Sequence, residues 1–206
     1  MWTFDPKRKL YVNSATGETL TIDEMSDLMD SIIEETNNDT IIPLVLLLTS
    51  NEIDTPTWRE TFGNVIKDTF TILALIALGG LLSSGILDRL EERIRVQYVY
   101  LEQFANDILS GVLTPAEILR RSRMYINSTR QIYWTILDEE FGKADYTKER
   151  WETQGDANVC GPCDEAGMMG WQPIGTFGEP GSGIVFRSPT TMCLGLTLCR
   201  CRKDYS

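Results

Sequence analysis

From Ile86 onward, apolar side chains return every three or four positions: Ile86, Leu90, Ile94, Tyr98, Leu101, Ala105 and Ile108. That spacing lays them along one face of a helix that runs to about Leu109, and Gly111 can end it in a left-handed conformation. Thr114-Pro115-Ala116-Glu117 then reads as a helix start. Thr114 serves as N-cap, proline occupies the first helical position, and the glutamate can reach back to the N-cap amide. This second helix is expected to run to about Phe141, with Gly142 as its stop. Only residues 110–113 separate the two, so they are expected to form a long antiparallel helical hairpin. A chain built around such a hairpin is mainly α.

The N-terminal half extends that helical body. Thr21-Ile22-Asp23-Glu24 is a second capping box, followed by Ile22, Met25, Leu28, Met29, Ile32 and Ile33 at helical spacing. Asn37-Asn38-Asp39 is read as the end of that helix. An apolar run over 41–48 carries Pro43 near its first turn, and Thr55-Pro56 opens a third helix with Trp58, Phe62, Val65 and Ile66 on one side. Ahead of them, Trp2-Thr3-Phe4-Asp5-Pro6 and the stretch from Tyr11 to Leu20 read as two short extended pieces around an Asn/Ser/Thr/Gly turn. They form a hairpin or arm over residues 1–20, either a docking tail or a plain loop. Residues 69–87 carry no charge and approach the length of a bilayer span. Gly79-Gly80 and Ser83-Ser84-Gly85 interrupt them, which favours a helix buried on all sides over a membrane anchor. Any part left uncovered would be a subunit interface. The helical domain is thus assigned to residues 21–150.

Net charge is −11, and the first 70 residues hold most of the acidic surplus, which excludes a protein that coats nucleic acid uniformly. Arg120, Arg121, Arg123 and Arg130 on the second long helix are a candidate contact for DNA or an acidic partner. The plainer reading is a solvated, internally paired face. Asp138, Glu139 and Glu140 oppose the dipole at the end of that helix, so a partner or Lys143 and Lys148 are expected to offset them.

All five cysteines lie in a module over residues 151–206. Cys160-Gly161-Pro162-Cys163 is a CxxC able to grip one tetrahedral ion from a tight turn, and Cys193, Cys199 and Cys201 return after a loop rich in glycine and proline. The expected arrangement is a small zinc knuckle with short strands. Its ligands are Cys160, Cys163, Cys193 and Cys199, with Cys201 competing for the last position. Trp151, Trp171 and Phe177 are expected to pack over it as outer support. The chain has no histidine, which removes imidazole metal sites and Ser-His-Asp or Cys-His catalysis. Two further readings of the cysteines remain. One is a thiol-disulfide oxidoreductase using the thioredoxin-like CGPC, although a βαβ context is missing. The other is a disulfide staple, against which stand the odd cysteine count and a start without a signal-peptide pattern.

Several of these stretches together resemble the tailed-bacteriophage minor head (head morphogenesis) proteins. They are Tyr98-Val99-Tyr100-Leu101-Glu102-Gln103-Phe104-Ala105-Asn106-Asp107-Ile108, the Gly111-Val112-Leu113-Thr114-Pro115-Ala116-Glu117-Ile118 turn, and Arg123-Met124-Tyr125-Ile126-Asn127-Ser128-Thr129-Arg130 with Tyr133-Trp134. Toward the end, Gly155-Asp156, Val159-Cys160, Cys163, Gly170-Trp171-Gln172-Pro173-Ile174-Gly175 and Cys199-Arg200-Cys201-Arg202 fit the same comparison. The similarity covers most of the chain and is strongest from residue 95. In that family a histidine often precedes the closing CRC; here Cys193 stands nearest its place. The resemblance implies a virion component of small copy number, made in the host cytoplasm. It would sit in the capsid interior or at the head-neck vertex, with portal or major capsid subunits as partners. Its role would be in procapsid assembly or DNA packaging, without catalysis. The alternatives are the oxidoreductase and a membrane-associated protein anchored through residues 69–87.

Overall fold

The computed structural model describes residues 2–80, 82, 84–153, 155, 159–178, 184–187, 190–192 and 201–206. Both capping boxes form. Thr21 and Thr114 each accept from the amide three residues on, and Glu24 and Glu117 return to the N-cap amides. They start helices α1 (Ile22–Glu35) and α5 (Pro115–Ser128). The fold is mainly α, with small antiparallel sheets at its two ends.

The remaining helices are α2 (Ile42–Thr49), α3 (Thr55–Leu78), α4 (Ser84–Leu109), α6 (Arg130–Lys143) and α7 (Gly161–Met168). α3 is the axis of the body, with α4 and α6 lying against it. Its buried face, Trp58, Phe62, Ile66, Phe70, Leu73, Ala74 and Ala77, has no solvent exposure. Burial of each large side chain among these contributes about 1.5–3 kcal/mol. Trp58 meets Phe62 and Phe104 at ring-centroid distances of 5.0 and 5.3 Å, and Phe104 stacks on Tyr125 of α5 at 5.7 Å.

Four sequence expectations change. Asn37-Asn38-Asp39 does not stop the first helix. The chain stays helical through a π turn, Thr36–Ile41, into α2, because Asn37 turns inward and donates to Asn127 Oδ1 on α5 at 2.7 Å. Residues 69–87 are not one buried helix: α3 ends at Gly79, where φ is +76°, and α4 begins at Ser84. α3 is, among the described helices, the one long and apolar enough to cross a membrane, and 44% of its apolar window is buried in the protein. Ile72 on its outer side is exposed. The second long helix divides at Thr129, whose hydroxyl donates to the Ile126 carbonyl where α5 gives way to α6. The expected hairpin runs antiparallel but is spread apart. α4 meets α5 and α6 through long side chains, Arg121 with Asp107 at 2.7 Å and Arg93 with Gln131 at 2.7 Å, across a groove of about 730 Å³.

Residues 1–20 form the expected hairpin, extended by a third strand, rather than a plain loop. Strands β1 (Trp2–Asp5), β2 (Leu10–Asn13) and β3 (Thr19–Thr21) form an antiparallel sheet with Phe4 opposite Tyr11 and Tyr11 opposite Leu20. Phe4 and Tyr11 belong to the main core, and Tyr11 donates its hydroxyl to the Ala77 carbonyl at 3.2 Å. At the other end β4 (Lys148–Glu152) lies between β5 (Gln172–Pro173) and the closing strand. A separate hairpin pairs β6 (Ile184–Arg187) with β7 (Thr190–Met192), and β8 (Arg202–Tyr205) closes the chain along β4.

Candidate functional site

The CxxC folds as the start of α7. Cys160 is its N-cap in an extended conformation and Cys163 lies one turn in, with Pro162 in the first turn, where the missing N–H leaves no bond unmade. Cys163 and Cys201 are buried together with Ala166, Trp151 and Phe177, and Val159 and Cys160 pack on this small core half-buried. The structure therefore brings together three of the five candidate cysteines, including the competing Cys201, from opposite ends of the module. Cys193 and Cys199 lie outside the described residues. Among the described residues, no group of three Cys, Asp or Glu side chains converges closely enough to hold a metal.

Of the three aromatics named for this module, two pack with the buried cysteines. Trp151 and Phe177 face each other at 5.9 Å within the cysteine core. Trp171 is outside it: the side chain is 38% exposed and lies under the Arg150 guanidinium, 4.9 Å from its ring centre. A cation against its ring face, rather than the thiol cluster, takes its apolar surface.

The four arginines do not form one patch. Arg121 pairs with Asp107 and rests on the Phe104 ring at 4.3 Å, and Arg130 is buried against Asp30 at 2.5 Å. Arg120 and Arg123 are exposed. The internally paired reading thus holds for two of the four. The acids after them are met separately. Glu139 pairs with Arg89, and Glu140 with Lys143 at 2.6 Å. Lys203, not Lys148, takes Asp138.

The last strand is the element that sequence reasoning missed. Cys201, Lys203 and Tyr205 alternate inward, Arg202 and Asp204 outward, and each fastens a different part of the body. Arg202 pairs with Asp23 and Asp27 on α1, and Asp204 with Lys9 at 2.8 Å and Arg150 at 3.5 Å. Tyr205 stacks on Phe141 at 4.0 Å. Lys203 sits between two carboxylates, with Nζ 2.8 Å from both Asp138 oxygens and 2.6 Å from Glu149 Oε2. The other Glu149 oxygen accepts from the amides of Gly175 at 2.9 Å and Phe177 at 2.8 Å, which also seats Phe177 in the cysteine core. The only trace of this in the sequence is the period-two pattern of the last residues, and a lysine at an inward position carries no signal of what it meets. Burial, and secondarily the Asp138 carboxylate, push the Tyr205 hydroxyl well above its ordinary titration range, so it remains a donor.

Comparison of the chain with known protein families, with curated proteins and with solved structures finds no match.

Proposed function

We propose that this chain is a structural component of a tailed-bacteriophage head that acts at or near the portal vertex, in procapsid assembly or DNA packaging. Its partners in this reading are portal or major capsid subunits. Zinc held by Cys160 and Cys163 together with donors from Cys193, Cys199 and Cys201 would stiffen the C-terminal module. The sequence resemblance supplies the family. The observation that supports an assembly role is an open, almost wholly apolar groove of about 250 Å³ between α1 and α3, floored by Trp2, Met25, Leu75 and Ile76. Leu28 and Ile72 stand on its lips, 45% and 43% exposed. Apolar lips around an apolar floor mark a face that a partner covers.

The test is incorporation into particles. With portal and major capsid subunits of the same phage co-expressed, the wild-type chain enters the procapsid fraction. Leu28→Asp and Ile72→Lys, both at exposed positions, stay folded and are left behind. Variants that enter at the wild-type level contradict the groove, and a wild-type chain absent from procapsids contradicts the assembly role.

The placement of Cys160 at the N-terminus of α7, above a buried Cys163, favours a second reading, thiol-disulfide exchange. A reducible Cys160–Cys163 bond in metal-free protein distinguishes it from the zinc module.

A further inference from the structure

We propose that Lys203 and Asp138 condense into an intramolecular amide, with Glu149 carrying the proton, so that the closing strand becomes covalently joined to helix α6. The proposal stands on the geometry of the three buried groups and is independent of the assembly role.

An amide forms between an amine and a carboxyl group when they are held together without competing water and a third group moves the protons. All three conditions have a counterpart here. The Lys203 and Glu149 side chains have no solvent exposure, and Asp138 keeps 7%. Two equal contacts of 2.8 Å to Oδ1 and Oδ2 hold Nζ on the bisector of the Asp138 carboxylate. That puts it roughly 3 Å from Cγ, near the carboxylate plane, so the distance is that of a near-attack pair and a turn of the carboxyl group about Cβ–Cγ presents its face to the amine. Glu149 is fixed by the Gly175 and Phe177 amides on one oxygen, which turns the other to within 2.6 Å of Nζ. The Tyr205 hydroxyl donates to Asp138 Oδ1 at 2.5 Å, where charge develops when the carbonyl carbon is attacked. A buried lysine held between two carboxylates is costly as a mere ion pair, because its desolvation offsets much of the attraction.

The step balances without a co-reactant. One ammonium proton passes from Nζ by way of Glu149 Oε2 to Asp138 Oδ2, which leaves a neutral amine beside a neutral carboxyl group. The freed lone pair attacks Cγ, and the carbonyl electrons move to Oδ1 against the Tyr205 hydroxyl. A second proton passes from Nζ through Glu149 to Oδ2. The tetrahedral centre collapses as the Cγ–Oδ2 bond breaks, and Oδ2 leaves as water. Glu149 returns to its carboxylate form, one Nζ–Cγ bond has formed, and one water has been released.

The cross-link would join positions 65 residues apart and close the chain around all five cysteines. The C-terminal module could then not be drawn off the helical body even if the cysteines were reduced and metal-free.

The test is the intact mass of purified full-length protein under denaturing, reducing conditions, followed by proteolytic mapping. Wild-type protein is expected one water lighter than its sequence, with a branched peptide that joins Asp138 to Lys203. Lys203→Arg, which keeps a cation but offers no amine for attack, and Glu149→Gln are expected at full mass. Circular dichroism and resistance to limited proteolysis confirm that both remain folded. Folded wild-type protein at full sequence mass overturns the proposal, as does a loss of water without the branched peptide. Complete loss of water in Glu149→Gln overturns the assignment of Glu149 as proton carrier.

Discussion

Replacing Gly79 with alanine tests how tightly the N-terminal sheet is seated on the helical body. Gly79 closes α3 with φ at +76°, and its amide and that of Gly80 bond back to the carbonyls of Ile76 and Leu75. Holding alanine in that conformation costs about 1–2 kcal/mol. A Cβ at this position would also lie 2.2 Å from the Trp2 carbonyl oxygen, 2.4 Å from its carbon and 2.6 Å from Thr3 Cα. These are backbone atoms, so no side chain can swing away; β1 must move. β1 carries Phe4, packed 4.8 Å from Tyr11 and 5.4 Å from Phe141. Loosening that contact forfeits part of the ~1.5–3 kcal/mol of a buried large side chain. Gly79→Ala is therefore expected to destabilise by about 2–4 kcal/mol. Gly111→Ala is the control: its φ is +69° but nothing lies within 4 Å of the new Cβ, so it carries the conformational cost alone, about 1–2 kcal/mol. Urea unfolding of both variants beside the wild type gives the difference from the shift of the midpoints at constant slope. Equal destabilisation by the two substitutions would refute the close seating of β1 on the end of α3.

Acid titration should show the capping boxes. The backbone bond from Thr21, and likewise that from Thr114, holds the Glu24 and Glu117 carboxyls below their ordinary value of 4.5. A depressed folded-state value means that their stabilisation is complete above about 4.5 and is lost as pH falls through the lower folded values. Between those limits wild-type stability should fall more steeply than that of the Glu24→Gln/Glu117→Gln double variant, and equal slopes would argue against the bonds. For the cysteine module, protein purified without chelator is expected to hold about one zinc per chain, with most thiols unreactive until a chelator is added. Metal-free protein with freely titrating thiols would remove zinc from the account.

Local signals in the sequence translated well wherever the structure they specify is itself local. Thr21 and Thr114 cap their helices because the bond spans three residues, and Gly79 and Gly111 take up left-handed conformations at helix ends. Trp58, Phe62 and Ile66 fall on one buried face as their spacing indicates. The misread places depend on partners far away in the chain. Asn37 looks like a helix stop, yet Asn127, 90 residues on, draws it inward and keeps the backbone helical. Arg130 looks like part of a basic face, yet Asp30, 100 residues back, takes it inside. In the candidate site, the packing of Trp151 and Phe177 near the CxxC was legible from spacing and composition, whereas the sequence favoured Cys199 over Cys201, the cysteine that the closing strand carries into this core. The Lys203–Asp138–Glu149 cluster was not, because nothing local tells a buried lysine from a solvated one.

The proposed head role is tested most directly by a count of the chain in purified procapsids, by quantitative mass spectrometry against portal and major capsid subunits. The account predicts a small number of copies per particle, on the scale of the portal rather than of the shell. Particles that assemble and package DNA with no copy of the chain present at any stage would contradict it.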